Sequence, residues 1–192
     1  MNASAAFDMR RPIAQGQAAG IGLWVFIGVA STLFALFLTA YAMRMDGAPD
    51  WTTLAMPWQL WLSSAWLIAG SLLLLRAVQR PGPVAFKLLL AGGSCAAAFM
   101  LTQLWAWQAL ADARVSLTGN PAASFFYVLT ALHGLHVLGG LIGWVVAVQR
   151  PEPWRIALTA RYWHFLLAVW GLLFAALGWL TPDVVAFICG RG

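Results

Sequence analysis

The side chains best suited to hold a metal or pass a proton in this 192-residue chain are three histidines, His133, His136 and His164. What they can do depends on which way they face. A haem held by two imidazoles needs them on opposite sides of the ring. His133 and His136 are three residues apart and so share one helical face, which rules out a sandwich between them. Pairing His136 with His164 requires equal depth. His136 lies about 12 residues before the end of its helix, whereas His164 lies about three residues into the next helix from that same end. At 1.5 Å per residue the mismatch is on the order of 13 Å. The spacing therefore favours neutral imidazoles bonded to a backbone carbonyl, a hydroxyl or a lipid headgroup. Cys95 and Cys189 form no CxxC or metal spacing, and Cys95 reads as a small buried hydrophobe. No catalytic residue, cofactor-binding set or metal site emerges from these residue types.

Carboxylates are missing where chemistry inside a membrane would need them. No Asp, Glu, Lys or Arg lies deep within the apolar stretches, and intramembrane ionisable groups mark proton and ion paths. A small ion-coupled transporter is disfavoured on that ground. A haem-carrying electron-transfer protein stays open on the histidines alone. Small residues form two stripes. Thr130, Gly140 and Gly143 fall on the His133/His136 face, with Gly139 and Gly143 at small-xxx-small spacing. Ala168, Gly171, Ala175 and Gly178 repeat along the last stretch. Both stripes are expected to pack against other helices. Phe125-Phe126-Tyr127 is likewise expected to be packing.

These residues must be held by elements that the composition already constrains. Hydrophobic residues make up 62% of the chain and charged residues 9%, against roughly a quarter charged in soluble domains. Lipid is the solvent this composition fits. Charges divide the sequence into five uncharged stretches, each long enough to cross the hydrocarbon as a helix of about 20 residues. Their apolar cores are 20–43, 58–78, 87–111, 122–148 and 161–181. Helices satisfy their own backbone polar groups in lipid, and no alternating strand pattern is present. The expectation is an all-α bundle of five transmembrane helices in one domain over 20–182, with a tail at 1–19 and another at 183–192. Asp46-Gly47-Ala48-Pro49-Asp50, Arg80-Pro81-Gly82-Pro83, Thr118-Gly119-Asn120-Pro121 and Pro151-Glu152-Pro153 read as the breaks between helices. The first apolar stretch is too long for a cleavable signal.

Basic residues set the expected orientation. Arg10, Arg11, Arg76, Arg80, Lys87, Arg150, Arg155 and Arg161 fall on one side, and Arg44, Arg114 and Arg191 on the other. The positive-inside rule places the first group, and the N-terminus, in the cytoplasm, with the C-terminal tail outside. The net charge of +5 fits this pattern and, without a Lys/Arg-rich polar run, does not suggest nucleic acid. Trp51, Trp58, Trp105 and Trp107 read as an outer interfacial belt, and Trp154 and Trp163 as an inner one.

Two segments carry a resemblance to a known family. Ser124 to Val137, which includes Phe125-Phe126, Thr130 and His133-Gly134-Leu135-His136-Val137, resembles the FF..TG.HG.HV segment of cytochrome c oxidase subunit III and its quinol-oxidase relatives. Tyr162-Trp163-His164-Phe165 with Val169-Trp170 resembles that family's YWHF.D.VW segment. Gly22-Leu23-Trp24-Val25-Phe26 with Leu33-Phe34 and Tyr41, then Leu60 to Ser64, then Gln103 with Trp107, are similar to further stretches in the same order. The resemblance covers about residues 20–182. It implies the short five-helix bacterial form of a haem-copper oxidase subunit III in the bacterial inner membrane. It implies a partner of the catalytic subunit I, with subunits II and IV as further neighbours, and no haem or copper in this chain. It also implies structural phospholipid in a cleft between the first two helices and the last three. On this alignment His133, His136, Trp163, His164 and Trp170 are structural or lipid-contact positions. Three family carboxylates are replaced, by Ala30, Ala106 and Leu167, which puts any proton role of those acids in doubt. An accessory protein of a nitric oxide reductase, from the same superfamily, is the alternative.

Overall fold

A computed structural model describes residues 3–45, 50–52, 54, 56–115 and 119–188, with side chains from Gln15 to Phe187 within those ranges. Asp46 to Pro49, Thr118, Cys189 and Arg191, and the side chains of Arg10 and Arg11, lie outside what is described. Every regular element among the described residues is a helix: α1 (Ala3–Met45), α2 (Gln59–Gln79), α3 (Gly82–Asp112), α4 (Pro121–Gln149), α5 (Pro153–Trp179) and α6 (Pro182–Ile188). Five of them are long and apolar enough to cross a membrane, α1 over Gln15–Met45 and α2 to α5 over their full lengths.

Each expected core matches one helix, though 58–78 starts one residue before α2, 161–181 runs two residues past the end of α5, and several other ends differ. Helix α5 begins at Pro153 rather than 161, and α1 extends back to Ala3 through the expected tail. A charge ends an apolar core without ending a helix, because long basic side chains lie along the helix and carry their heads to water. Helix ends follow capping chemistry instead. The Asn120 side chain accepts from the Ala122 backbone N–H at 3.0 Å, with Pro121 at the first helical position. Prolines also open α3 and α5. The short α6 occupies the expected tail. It opens on Pro182 and carries Asp183 in its first turn, where a carboxylate complements the helix dipole. Beyond the end of α1, the Arg44 guanidinium bonds Asp50 at 2.7 Å and holds its carboxyl below the ordinary carboxylate range. This exposed pair helps only above that range and is lost as pH falls through the depressed value.

The bundle is apolar on its outside as well as in its core. Ile21, Val25, Leu36, Leu101, Ile142 and Leu172 face outward, which suits lipid. Helices α2 and α3 form a tight antiparallel pair across a two-residue connector. The pair closes on glycines: a Cβ on Gly92 would lie 2.7 Å from Leu74, and one on Gly70 would lie 3.1 Å from the Gly92 carbonyl. Close backbone approach of this kind supplies the dispersion contacts that hold helices together in lipid. Helix α5 is central, packed on α2, α4 and α1, while α1 lies on α4 and α5. This corrects the expected division of two helices against three. The second helix is committed to α3 and α5, and the open cleft lies between α1 and the α4–α5 pair.

The small-residue stripes are also corrected. Gly139 and Gly143 are exposed, and a Cβ at either meets nothing within 4 Å. Gly140 makes the close contact instead, where a Cβ would lie 2.8 Å from the Trp163 ring. On α5, Ala168 and Gly171 face outward. The aromatic run packs as expected: Phe126 and Tyr127 are buried, and Phe125 meets the Tyr41 ring at 5.6 Å.

If the basic-residue count sets the orientation, reporter fusions in the 79–86 and 149–160 connectors will report the cytoplasm, and fusions after 182 the opposite side. Either connector reporting outside would overturn the orientation.

Candidate functional site

The largest concentration of the expected site residues lies where all five spanning helices meet. His133 of α4 is fully buried. Its imidazole contacts Trp170 of α5 at 5.2 Å between ring centres, Phe99 of α3 at 5.6 Å and Phe34 of α1 at 6.4 Å. Trp170 in turn meets Phe99 edge-on at 5.2 Å and donates its indole N–H to Ser64 Oγ of α2 at 2.8 Å. One imidazole and its three aromatic neighbours, with one hydroxyl, thus link five helices. Edge-to-face pairs of this kind add to simple packing because each ring edge meets a negative face.

The histidines divide into two kinds. His136 Nδ1–H donates to the Leu132 carbonyl at 2.7 Å, and His164 Nδ1–H to the Ala160 carbonyl at 2.6 Å. Each bonds back to its own helix, which fixes the proton on Nδ1 and leaves Nε2 as the free acceptor. His136 lies beside Phe34 and Phe26, at 5.1 and 5.8 Å. His164 is at the bundle surface. The hydrogen-bonded reading therefore holds for these two and fails for His133, whose two ring nitrogens have no partner. Its surroundings are rings, which offer only weak N–H···π acceptance.

Trp163 is wholly buried, wedged against Gly140 and within 3.7 Å of a Cβ built on Gly70. It is a core residue and not part of the expected inner aromatic belt. Trp58 and Trp105, by contrast, are exposed and stack edge-to-face at 5.1 Å, as an interfacial pair would. Among the described residues no group of three or more His, Cys, Asp or Glu side chains is placed to hold a metal ion.

Residues outside the expected site set complete the arrangement. Tyr162 donates its hydroxyl to the His136 carbonyl at 3.0 Å. Trp144 of α4 donates to the Leu89 carbonyl of α3 at 2.7 Å, its ring over Gly93. Gln103 is buried with both amide atoms unpartnered. Tyr162 and Gln103 stand in the resembling segments, whereas Trp144 carried no sequence signal.

The three positions aligned with lost carboxylates are packed. Ala30 and Ala106 are buried and Leu167 is half-buried against the main core. A hydrophobic carbodiimide, which attacks protonated buried carboxyls, should thus leave residues 20–43 and 87–111 unlabelled. Mass spectrometry of the treated chain checks this, and an adduct in either range would overturn it.

The cleft between α1 and the α4–α5 pair has a volume of about 460 Å³. Leu23, Phe26, Gly139, Gly143 and Leu158 line it, and Trp154 and Arg155 stand at one end. Arg155 is shared between Glu152 Oε2, at 3.3 Å, and the Trp154 ring, at 4.4 Å. Apolar walls with a cation at the rim suit an amphiphile.

No protein-family model matches the chain. Among curated relatives, the probable cytochrome c oxidase subunit 3 of Nocardia farcinica is 33% identical over 87 residues, covering 41% of this chain and 43% of the relative. That of Mycobacterium tuberculosis is 31% identical over the same shares. Alignment with these two therefore spans less than half of each relative's length. Cytochrome c oxidase subunit 3 of Bacillus sp. strain PS3 is 25% identical over 189 residues, 88% of both chains. The chain is thus a homologue of cytochrome c oxidase subunit 3, with five membrane-spanning-capable helices.

Proposed function

We propose that this chain is the non-catalytic subunit III of a respiratory haem-copper terminal oxidase in a bacterial inner membrane, where it stabilises subunit I and holds structural phospholipid. Subunits II and IV are its further neighbours. The observation that carries the reading is similarity to an oxidase subunit 3 over 88% of the chain, in a chain with five helices able to span a membrane. The geometry is consistent with a scaffold. Its buried polar side chains serve packing, and its cleft is a lipid-sized recess with a basic rim. The division of 1–19 and 183–192 into cytoplasmic and outer tails belongs to this proposal.

A tagged chain purified from native membranes tests it. A large haem-copper subunit should accompany the tag, with its haem spectrum. Deleting the chain should shorten the working lifetime of the enzyme more than it lowers its initial rate. The loss of carboxylates at Ala30, Ala106 and Leu167 favours one second reading, an accessory subunit of a nitric oxide reductase. The same preparation would then reduce nitric oxide and not oxygen. Recovery of the chain alone, with no haem protein, would overturn both.

A further inference from the structure

A second recess, on the far side of α4 from the cleft, has the features of a lipid site. Helix α3 ends in a left-handed turn. The Val115 N–H donates to the Leu110 carbonyl at 3.0 Å and the Arg114 N–H to the Ala111 carbonyl at 2.9 Å, the bond pattern that closes helices through a left-handed residue. That residue is normally glycine. Here it is Arg114, the single non-glycine with positive φ, at 58°, among the described residues. A side chain with a Cβ is disfavoured there, so its presence calls for a use of the guanidinium.

Arg114, exposed at the end of α3, lines a recess of about 670 Å³ with Leu104, Trp107, Gln108 and Tyr127. Neither Asp112 nor any other described carboxylate pairs with it, since the ion pairs are those of Arg44 and Arg155. The recess is held rigid. Tyr127 donates its hydroxyl to the Val115 carbonyl at 3.2 Å, Trp107 donates its indole N–H to Thr130 Oγ1 at 3.2 Å, and the two rings meet at 5.5 Å. Leu104 and Trp107 then pass directly into an apolar groove of about 290 Å³ between α3 and α4, over Met100, Leu135 and Leu138. From Ala111 to Met100 the path drops about 16 Å at 1.5 Å per residue, close to half of a hydrocarbon core of about 30 Å. An apolar groove of that depth, opening at a cation without an ion-pair partner among the described residues, is complementary to an anionic lipid.

We propose that this recess binds one anionic phospholipid. Arg114 takes the phosphate, Trp107 and Tyr127 flank the glycerol region, and one acyl chain lies in the α3–α4 groove. The site lies at the membrane face where α3 ends, away from the Arg155 cleft, and does not depend on the oxidase reading.

The test uses the full chain purified from native membranes with whatever subunits accompany it. The probe is phosphatidylglycerol, with phosphatidylcholine of the same chains as comparison. Native mass spectrometry after detergent exchange counts the lipid retained, and titration gives the preference. The wild type should retain one phosphatidylglycerol that Arg114→Gly loses, with tenfold or greater weakening on titration. Arg114→Gly suits the left-handed turn, so its fold is not at risk. Arg114→Lys should recover most of the binding. Gly134→Leu, which fills the groove beside Met100, should lose the same equivalent with the charge intact. Equal retention by wild type, Arg114→Gly and Gly134→Leu would overturn the proposal. So would equal affinity for both lipids, or a photo-crosslinker at Leu135 capturing a partner polypeptide in place of lipid.

Discussion

Replacing Gly93 by alanine will destabilise the chain by about 2–4 kcal/mol, combining an overpacking cost of about 1–3 kcal/mol with a lost hydrogen bond of about 1 kcal/mol. The added methyl carbon would fall 2.0 Å from Trp144 Cε2 and 2.3 Å from its indole nitrogen, distances that two unbonded heavy atoms do not tolerate. The ring must swing away. When it does, its 2.7 Å bond to the Leu89 carbonyl breaks, and the closest link between α3 and α4 at that level is lost. In lipid no hydrophobic pressure pushes two helices back together, so the damage is not repaired by collapse. The measurement is the melting temperature of the detergent-solubilised chain. A double-mutant cycle with Trp144→Ala provides the internal control. Trp144→Ala should itself destabilise, after which Gly93→Ala should add almost nothing, because the clashing ring is gone. Simple additivity of the two would mean that Gly93 and Trp144 are not in contact. Gly139→Ala, with nothing within 4 Å of its Cβ, should be neutral within about 0.5 kcal/mol.

The contrast between Gly93 and Gly139 marks how far the sequence could be read. The number of spans and their positions were legible because lipid imposes them: a spanning helix needs a fixed apolar length, and charges interrupt the run. Helix facing was not legible. Helix α4 is apolar on every side, so amphipathicity gives no direction, and the spacing of Gly139 and Gly143 fits a helix contact as well as the open cleft wall they form. The stripe of Ala168 and Gly171 on α5 misled for the same reason. Neighbour identity was not legible either. The pairing of α2 with α3 follows from a two-residue connector and the Gly70–Gly92 approach, yet the distribution of α2 and α1 around α5 is decided by side-chain fit that one sequence does not encode visibly. The residue types at the hub were legible through the histidine and tryptophan motifs. Their partners were not, which is why one account was expected to serve all three histidines while the structure separates His133 from the other two.

That separation leads to opposite expectations at two touching residues. Trp170 fills the junction of the five helices, and Trp170→Ala should cost on the order of 3–5 kcal/mol through the cavity it leaves. That is a large share of the stability of most folded chains, and little assembled protein should be recovered. Trp170→Phe should be milder, about 1 kcal/mol, since it loses the 2.8 Å bond to Ser64 but keeps a ring against Phe99. Ser64 still donates to the Leu60 carbonyl at 2.8 Å, so no hydroxyl is stranded. His133 should behave the other way. Its two ring nitrogens are fully buried without a partner, and an unsatisfied buried polar group costs roughly 1–3 kcal/mol. His133→Phe removes both nitrogens, keeps a flat ring among Phe34, Phe99 and Trp170, and adds little volume. The chain should therefore be as stable as the wild type or more so. Melting temperature and recovered yield, measured side by side for the two positions, decide the matter. If His133→Phe proved as damaging as Trp170→Ala, the imidazole would have to bond a group supplied from outside this chain. If it kept full stability while the complex lost turnover, His133 would have a role in the reaction and not in the fold.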